Sequence, residues 1–185
     1  MWPPIDTISE AEYLVHEPEA EYKSEFRDGR VVAMSGASRA HVVVVSNLIV
    51  ELRKTLPAEC TVLPTEMRVK VEAARFYTYP DIAIVCGEEQ YADAKQTTLL
   101  NPSAIIEVLS PSTEAYDRGE KFAYYKKLAS LSEYVLVGQE RMRVEHHLRR
   151  PDGTWPVTVL EAAEAVLELL AGARIPLREI YRKAL

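Results

Sequence analysis

The sequence predicts a mixed α/β domain in which a central mixed β-sheet is flanked by helices and extended by β-hairpins. Three observations predict it. Short apolar runs of strand length recur in "EMRVKVE", "YPDIAIVCG", "SAIIEVLS" and "EYVLVG". Two longer amphipathic segments, "SRAHVVVVSNLIVELRKTL" and the stretch from about Thr113 to Leu128, are long enough to be helices. Turn chemistry at Asp28-Gly29 and Pro151-Asp152-Gly153 closes two hairpins. Helical and strand patterns interleave along the chain, which is the order of a sheet covered by helices. No repeat, low-complexity tract or long linker divides residues 1–185, so one domain is expected.

Taken in order, "TISEAEYLVHEP" has Ser9 and Glu12 at capping-box spacing and stops near Pro18, a short helix. "YKSEFRDGRVVAMSG" is the first hairpin. In the helix that follows, Val44, Leu48, Leu52 and Leu56 form one apolar stripe. "EMRVKVE" and "YPDIAIVCG" are strands joined by the loop "AARFYT". "SAIIEVLS", a helix and "EYVLVG" come next, then the hairpin "RMRVEHHLRRPDGTWPVTVLE". "IPLREIYRKAL" closes the chain as a helix.

A net charge of -6 argues against indiscriminate polyanion binding, because non-specific nucleic-acid affinity comes mainly from Lys and Arg neutralising phosphates. A local basic face is still allowed. Cys60 and Cys86 are too few for a disulfide framework and lack metal-site spacing, so buried free thiols in a reducing compartment are expected. The acidic start "MWPPIDTISEAEYLVHEPEAEYK" has no basic segment followed by an apolar core, hence no signal peptide. No apolar run reaches the ~18 residues of a membrane span. The expected location is cytoplasmic.

Glu107 stands out because it lies inside an apolar strand, where an unpartnered carboxylate is costly. Strand alternation puts Ile105, Glu107 and Leu109 on one face, and Asp81, Ala83 and Val85 on one face of the earlier strand. If the strands are neighbours, Asp81 and Glu107 converge, and a divalent cation relieves their repulsion. Pairing of Glu107 with an unseen Lys or Arg answers the same question. In the following helix Asp117, Lys121, Tyr124, Tyr125 and Leu128 share a face, and the turn "SPST" can bring Lys121 back toward the acids. An exposed Asp117–Lys121 pair is the plain alternative.

The elements "YKSEFRDGRVVAMSGASRAH", "YPDIAIVC" and "IIEVLSPSTEAYDRGEKFAYYKKLASLSEYVLV" together resemble the Uma-two family, grouped with restriction-type endonucleases in the PD-(D/E)XK nuclease superfamily. The resemblance runs from Ile8 to Leu148, and "EVLSPST" followed by "YDRGEK" is its most specific part. It implies a restriction-endonuclease-like core and a metal-dependent endonuclease. Pro80-Asp81 then matches the PD element and Glu107 the acid of the second element. The usual lysine position holds Leu109, and Lys121 stands where the family's lysine has moved to the next helix. Glu25 matches a further family acid, and His41 a histidine opening the first long helix; Asp117 and Tyr125 are additional candidates. Where relatives often read "YWLVD", this chain reads "YVLVG", with Gly138 in place of the acid.

The implied ligands are the carboxylates of Asp81 and Glu107 with the Val108 backbone carbonyl, an all-oxygen set suited to Mg²⁺, with Mn²⁺ as substitute. Lys121 would serve as general base or fixed positive charge, and its removal should leave folding intact if it is a surface lysine. The expected partner is nucleic acid, with DNA first, and a homodimer would let two sites address two strands. The alternatives are a non-catalytic binding or regulatory module that keeps the fold, and a hydrolase of small phosphoesters. For the nucleic-acid reading, Arg53, Lys54, Arg118, Lys126 and Lys127 should gather around the acidic cleft.

Overall fold

The computed structural model describes residues 7–185; the first six residues of the acidic start lie outside the described residues. Helix α1 (Glu10–His16) carries the expected reciprocal cap between Ser9 and Glu12, and a 3₁₀ turn, Glu17–Glu19, ends it at Pro18. Strands β1 (Ser24–Arg27) and β2 (Arg30–Ala33) pair antiparallel. Between them Asp28 (φ 44°) and Gly29 (φ 97°) both adopt the left-handed conformation that a tight two-residue hairpin turn requires. Helix α2 (Arg39–Thr55) starts at Ser38, whose hydroxyl accepts the His41 N–H. Its valine run does not prevent the helix, because Val44, Val45, Leu48 and Leu52 are buried on one side and packing outweighs β-branched propensity.

Strands β3 (Cys60–Pro64), β4 (Arg68–Val71), β5 (Phe76–Thr78), β6 (Ile82–Cys86) and β7 (Thr98–Leu99) precede β8 (Ala104–Leu109). A helical segment then runs as α3 (Glu114–Tyr116), a π-helical stretch Asp117–Lys121 and α4 (Phe122–Tyr125). Strands β9 (Glu133–Gly138), β10 (Val144–Leu148), β11 (Val157–Leu160), β12 (Val166–Glu168) and β13 (Arg174–Pro176) follow, and α5 (Leu177–Ile180) comes last. The final helix is thus a single turn rather than the whole of "IPLREIYRKAL".

The expected central sheet is there, in the order β11-β10-β9-β8-β6-β3, and a second sheet, β2-β1-β5-β4-β7, stands beside it. Strand β8 is central: it pairs parallel with β9 and antiparallel with β6, and all six of its residues are buried. One face of this sheet, through Ile82, Ile84, Ile106 and Val108, packs on α2 and the C-terminal elements. The other, through Ala83, Val85, Ile105 and Leu109, meets Phe122, Tyr125 and the β4 and β5 side chains of the second sheet.

Several elements differ from expectation. The loop "AARFYT" contains β5, so β4 and β6 belong to different sheets; three residues are too few for alternation to reveal a strand. Strands β3, β7, β12 and β13 were not anticipated, and three of these four have only two or three residues. The free-thiol expectation is overturned: Cys60 and Cys86 face one another across β3 and β6 and are joined by a disulfide, and Cys86 is exposed. The inference of a reducing compartment from free thiols falls with it. Among the described residues, no helix is long and apolar enough to cross a membrane.

Candidate active site

Antiparallel pairing of β6 with β8 sets Ile82 opposite Ile106, so Asp81, just before β6, arrives beside Glu107 and Val108 at the C-terminal end of β8. The contact is direct. The Val108 N–H donates to Asp81 Oδ2 at 2.7 Å, and the Asp81 N–H lies 3.4 Å from Glu107 Oε2. His41, in the first turn of α2, places Nε2 2.9 Å from Asp81 Oδ1. Burial pulls the His41 imidazole down, but Asp81 outweighs it and holds the ring above its ordinary range.

Lys121 folds inward from the π-helical stretch. It is only 5% exposed, and its Nζ lies 2.9 Å from Glu107 Oε1, 3.3 Å from Glu25 Oε1 and 3.6 Å from Asp117 Oδ1. The Tyr125 hydroxyl donates to the same Glu107 Oε1 at 2.8 Å. Glu25, on β1, accepts from Thr78 (2.6 Å), Tyr116 (2.8 Å) and Arg27 (2.7 Å). Arg27 also lies 3.8 Å over the Tyr116 ring.

Burial dominates the electrostatics. It pushes the Glu107 carboxyl up to about 8, with Asp117 and Asp81 adding to the rise against Lys121. Burial likewise raises Asp117. For Glu25 burial also acts upward, yet Lys121, Thr78 and Arg27 together hold it below the ordinary carboxylate range. Burial would strip Lys121 of its proton, but Glu107, Glu25 and Asp117 reverse the sign and keep it an ammonium.

The residues singled out in the sequence therefore converge: Asp81, Glu107, Lys121, Glu25, Asp117, Tyr125 and His41 are linked by contacts in one cluster. Lys121 is not a surface lysine, which corrects the expectation that its removal would leave folding untouched. Tyr124, placed on the same helical face, instead bonds Glu120 and packs tilted against Phe76, with ring centroids 4.6 Å apart. Leu109 is packed into the apolar cluster beneath. Sequence reasoning missed Arg27, Thr78 and Tyr116, which hold Glu25; the only available signal was that Arg27 and Glu25 share a strand face.

The cations expected to gather at the cleft do not do so. Arg53 and Lys54 are in the last turn of α2, about 18 Å along the helix from His41 at ~1.5 Å per residue. Arg118 is engaged by Glu114 and Glu145. Lys126 and Lys127 lie over Phe122 and Tyr124.

Among the described residues, no trio of His, Cys, Asp and Glu is already arranged as a metal cluster. The donor chemistry nevertheless suits a hard cation. Four carboxylates, Glu25, Asp81, Glu107 and Asp117, meet fewer permanent cations, Lys121 and Arg27, and Glu107 Oε2 has only the long 3.4 Å contact.

A mixed sheet with helices packed on it and acids meeting at the end of its central strand is a nuclease-like architecture. The fold matches the crystal structure of "a putative nuclease belonging to DUF820" from Anabaena variabilis ATCC 29413, with a TM-score of 0.79 over 96% of this chain and 99% of that one, at 16% sequence identity. The chain belongs to the Uma2 family, described as "Putative restriction endonuclease", whose model matches residues 10–178. Two relatives from Synechocystis sp. (strain ATCC 27184 / PCC 6803 / Kazusa) are similar over most of their length. "Uncharacterized protein sll1609" is 34% identical over 87% of this chain and 92% of its own. "Uncharacterized protein slr1290" is 31% identical over 97% and 94%.

Proposed function

We propose that the protein is a divalent-metal-dependent endonuclease that hydrolyses phosphodiester bonds, with DNA as the first substrate to test. The observation that carries this reading is the meeting of Asp81, Glu107 and Lys121 at the C-terminal end of β8, from three separate elements. Asp81, Glu107 and the Val108 carbonyl would hold Mg²⁺ or Mn²⁺, which when bound supplies Lewis acidity toward the phosphoryl oxygens. The protein's own groups do the positioning. The Val108 N–H and His41 orient the Asp81 carboxylate, and Lys121 and Tyr125 fix one oxygen of Glu107 so that the other faces Asp81. With three carboxylates within 3.6 Å of its Nζ, Lys121 acts as a fixed positive charge rather than as the base. Glu25, braced by Thr78, Tyr116 and Arg27, holds Lys121 in place.

A second reading, a non-catalytic module, is favoured by one feature: Lys121 and Tyr125 already satisfy Oε1 of Glu107 without any metal. A cleavage assay on supercoiled plasmid, linear duplex and single-stranded DNA separates the two. Strand scission that needs Mg²⁺ or Mn²⁺ and is lost in Asp81→Asn, with the fold intact, supports the nuclease. Scission equal in Asp81→Asn, or none on any substrate, refutes it.

A further inference from the structure

We propose that the cavity between α2 and the C-terminal tail seats the phosphodiester backbone of a nucleic-acid strand alongside the hydrolytic centre; this extends the nuclease reading to how the substrate is held. The cavity, of about 380 Å³, is lined by Arg39, Val43, Asn47, Arg182 and Lys183. Three of these five are cations and none is an acid, in a chain that carries 28 acidic against 22 basic residues. Such local enrichment against the global charge is what a polyanion seat requires. Among the described residues, Arg39 and Lys183 have no acid within ion-pair range and are exposed, and Arg182 meets only Glu179, at 3.9 Å.

The seat is built rather than incidental. Asn47 Nδ2 donates to the carbonyls of Ile180 and Arg182, both at 2.9 Å, which ties the tail to the helix. Arg39 donates to the Lys183 carbonyl at 3.1 Å. Lys183 takes a left-handed backbone (φ 61°), which turns the chain at the cavity. Tyr181 secures the base of the tail by accepting the Arg143 N–H (3.0 Å) and donating to the Arg143 carbonyl (2.8 Å).

Its position suits a strand that crosses the active site. Arg39 is two residues from His41, which touches Asp81, but the two point to roughly opposite sides of α2, at about 100° per residue. A helix with side chains is ~10–12 Å across, so a backbone that leaves the cavity and passes around half of it, ~16–19 Å, reaches Asp81 roughly five base steps of ~3.4 Å away. Exposed Arg and Lys side chains in that place would grip flanking phosphates and leave the sequence unread.

The test is metal-free binding of labelled duplex and single-stranded oligonucleotides by fluorescence anisotropy across a salt series. It compares wild type, Arg39→Gln/Lys183→Gln, and a control of equal charge change away from the cavity, Lys95→Gln/Arg150→Gln. The cavity variant is expected to lower the log–log salt slope by about 2, roughly one per lost phosphate contact, and to raise KM for long substrates with kcat retained; the control is expected to match wild type. The arm with the larger change identifies the strand form that is bound. Equal slopes for wild type and cavity variant, or equal loss in the control, overturns the proposal while leaving cleavage standing. Wild-type binding that depends on Arg39 and Lys183 without any cleavage supports the seat and removes the hydrolytic reading. No binding by wild type overturns the seat.

Discussion

Lys121→Ala is the most informative single change, because the ammonium it removes is the counter-charge of three buried carboxylates. Glu107, Glu25 and Asp117 lie at 2.9, 3.3 and 3.6 Å from Nζ, and Lys121 and Glu107 are 5% and 4% exposed. Breaking one partner out of a buried ion pair costs ~3–5 kcal/mol, against less than ~1 kcal/mol for a surface lysine. For a domain of this size that corresponds to a fall of roughly 6–20 °C in Tm, at ~2–4 °C per kcal/mol. The lower end is expected, since Glu107 already lies up at about 8 and relieves part of the repulsion by taking a proton. The pH dependence has a definite sign. Without Lys121 the folded-state carboxyls rise above their unfolded value near ~4.3, so the variant's deficit is largest at neutral pH and shrinks as pH falls toward that value. Thermal unfolding followed by circular dichroism at neutral and mildly acidic pH measures both effects, and Lys121→Met/Glu107→Gln should recover much of the loss. A Lys121→Ala protein that melts within 2 °C of wild type at neutral pH, at the ~2–4 °C per kcal/mol scale, would refute the buried-counter-charge account.

Three further outcomes follow from the structure. Gly138→Asp introduces the acid that the sequence resemblance leads one to expect at this position, but a Cβ there would come within 3.0 Å of the Arg141 carbonyl and 3.5 Å of that of Arg143. A loss of about 1–3 kcal/mol in urea unfolding is expected, and cleavage should not improve. His147 lies between Phe122 (4.8 Å) and Tyr134 (6.2 Å), its Nε2 is buried without a partner, and burial holds its pKa below the ordinary value. Its contribution to stability is therefore full above pH ~6.5 and is lost as pH falls below that value, because the unfolded chain takes the proton first. His147→Phe should flatten this acid limb in a Tm-against-pH series; an unchanged limb would show that another group sets it. Reducing the Cys60–Cys86 disulfide, which closes a loop of 26 residues, should lower stability by about 3–4 kcal/mol in chemical denaturation with and without reductant. Coincident unfolding curves would show that β3 needs no covalent tie.

How far the sequence could be read depended on element length and on whether a contact was local. β8 and the helix after it were legible because six to twelve residues are long enough to show as an apolar run and a helical face; alternation grouped Glu107 with Ile105 and Leu109, and the "SPST" turn together with the family resemblance pointed to Lys121. β5 and β7, at three and two residues, have no period to read. The three groups that grip Glu25 come from β1, β5 and the helical segment, and are separated from it by 2, 53 and 91 residues. Only the first of these separations is local enough for a strand pattern to suggest. The cysteines were misread for the same reason: strand β3 was not seen, so nothing placed Cys60 opposite Cys86.

Tyr116 escaped notice for a more specific reason, which lies in the π-helical stretch Asp117–Lys121. Nine residues separate Tyr116 from Tyr125, and in an uninterrupted α-helix that is about 900° of rotation, which sets the two on opposite sides. Yet Tyr116 donates to Glu25 and Tyr125 to Glu107, and both acids touch the same lysine. The wider turn works like a tooth added to a gear: it slips the phase of the helix so that residues on either side of it come round to the same cluster. Eight α-helical steps of about 100° give nearly the rotation that nine steps give through the wider turn, so deleting Gly119 would return the helix to its regular pitch with both tyrosines still on the cluster. Regular pitch with all nine steps kept would instead swing one of them away, so the added residue and the wider turn are matched in how the acids are held.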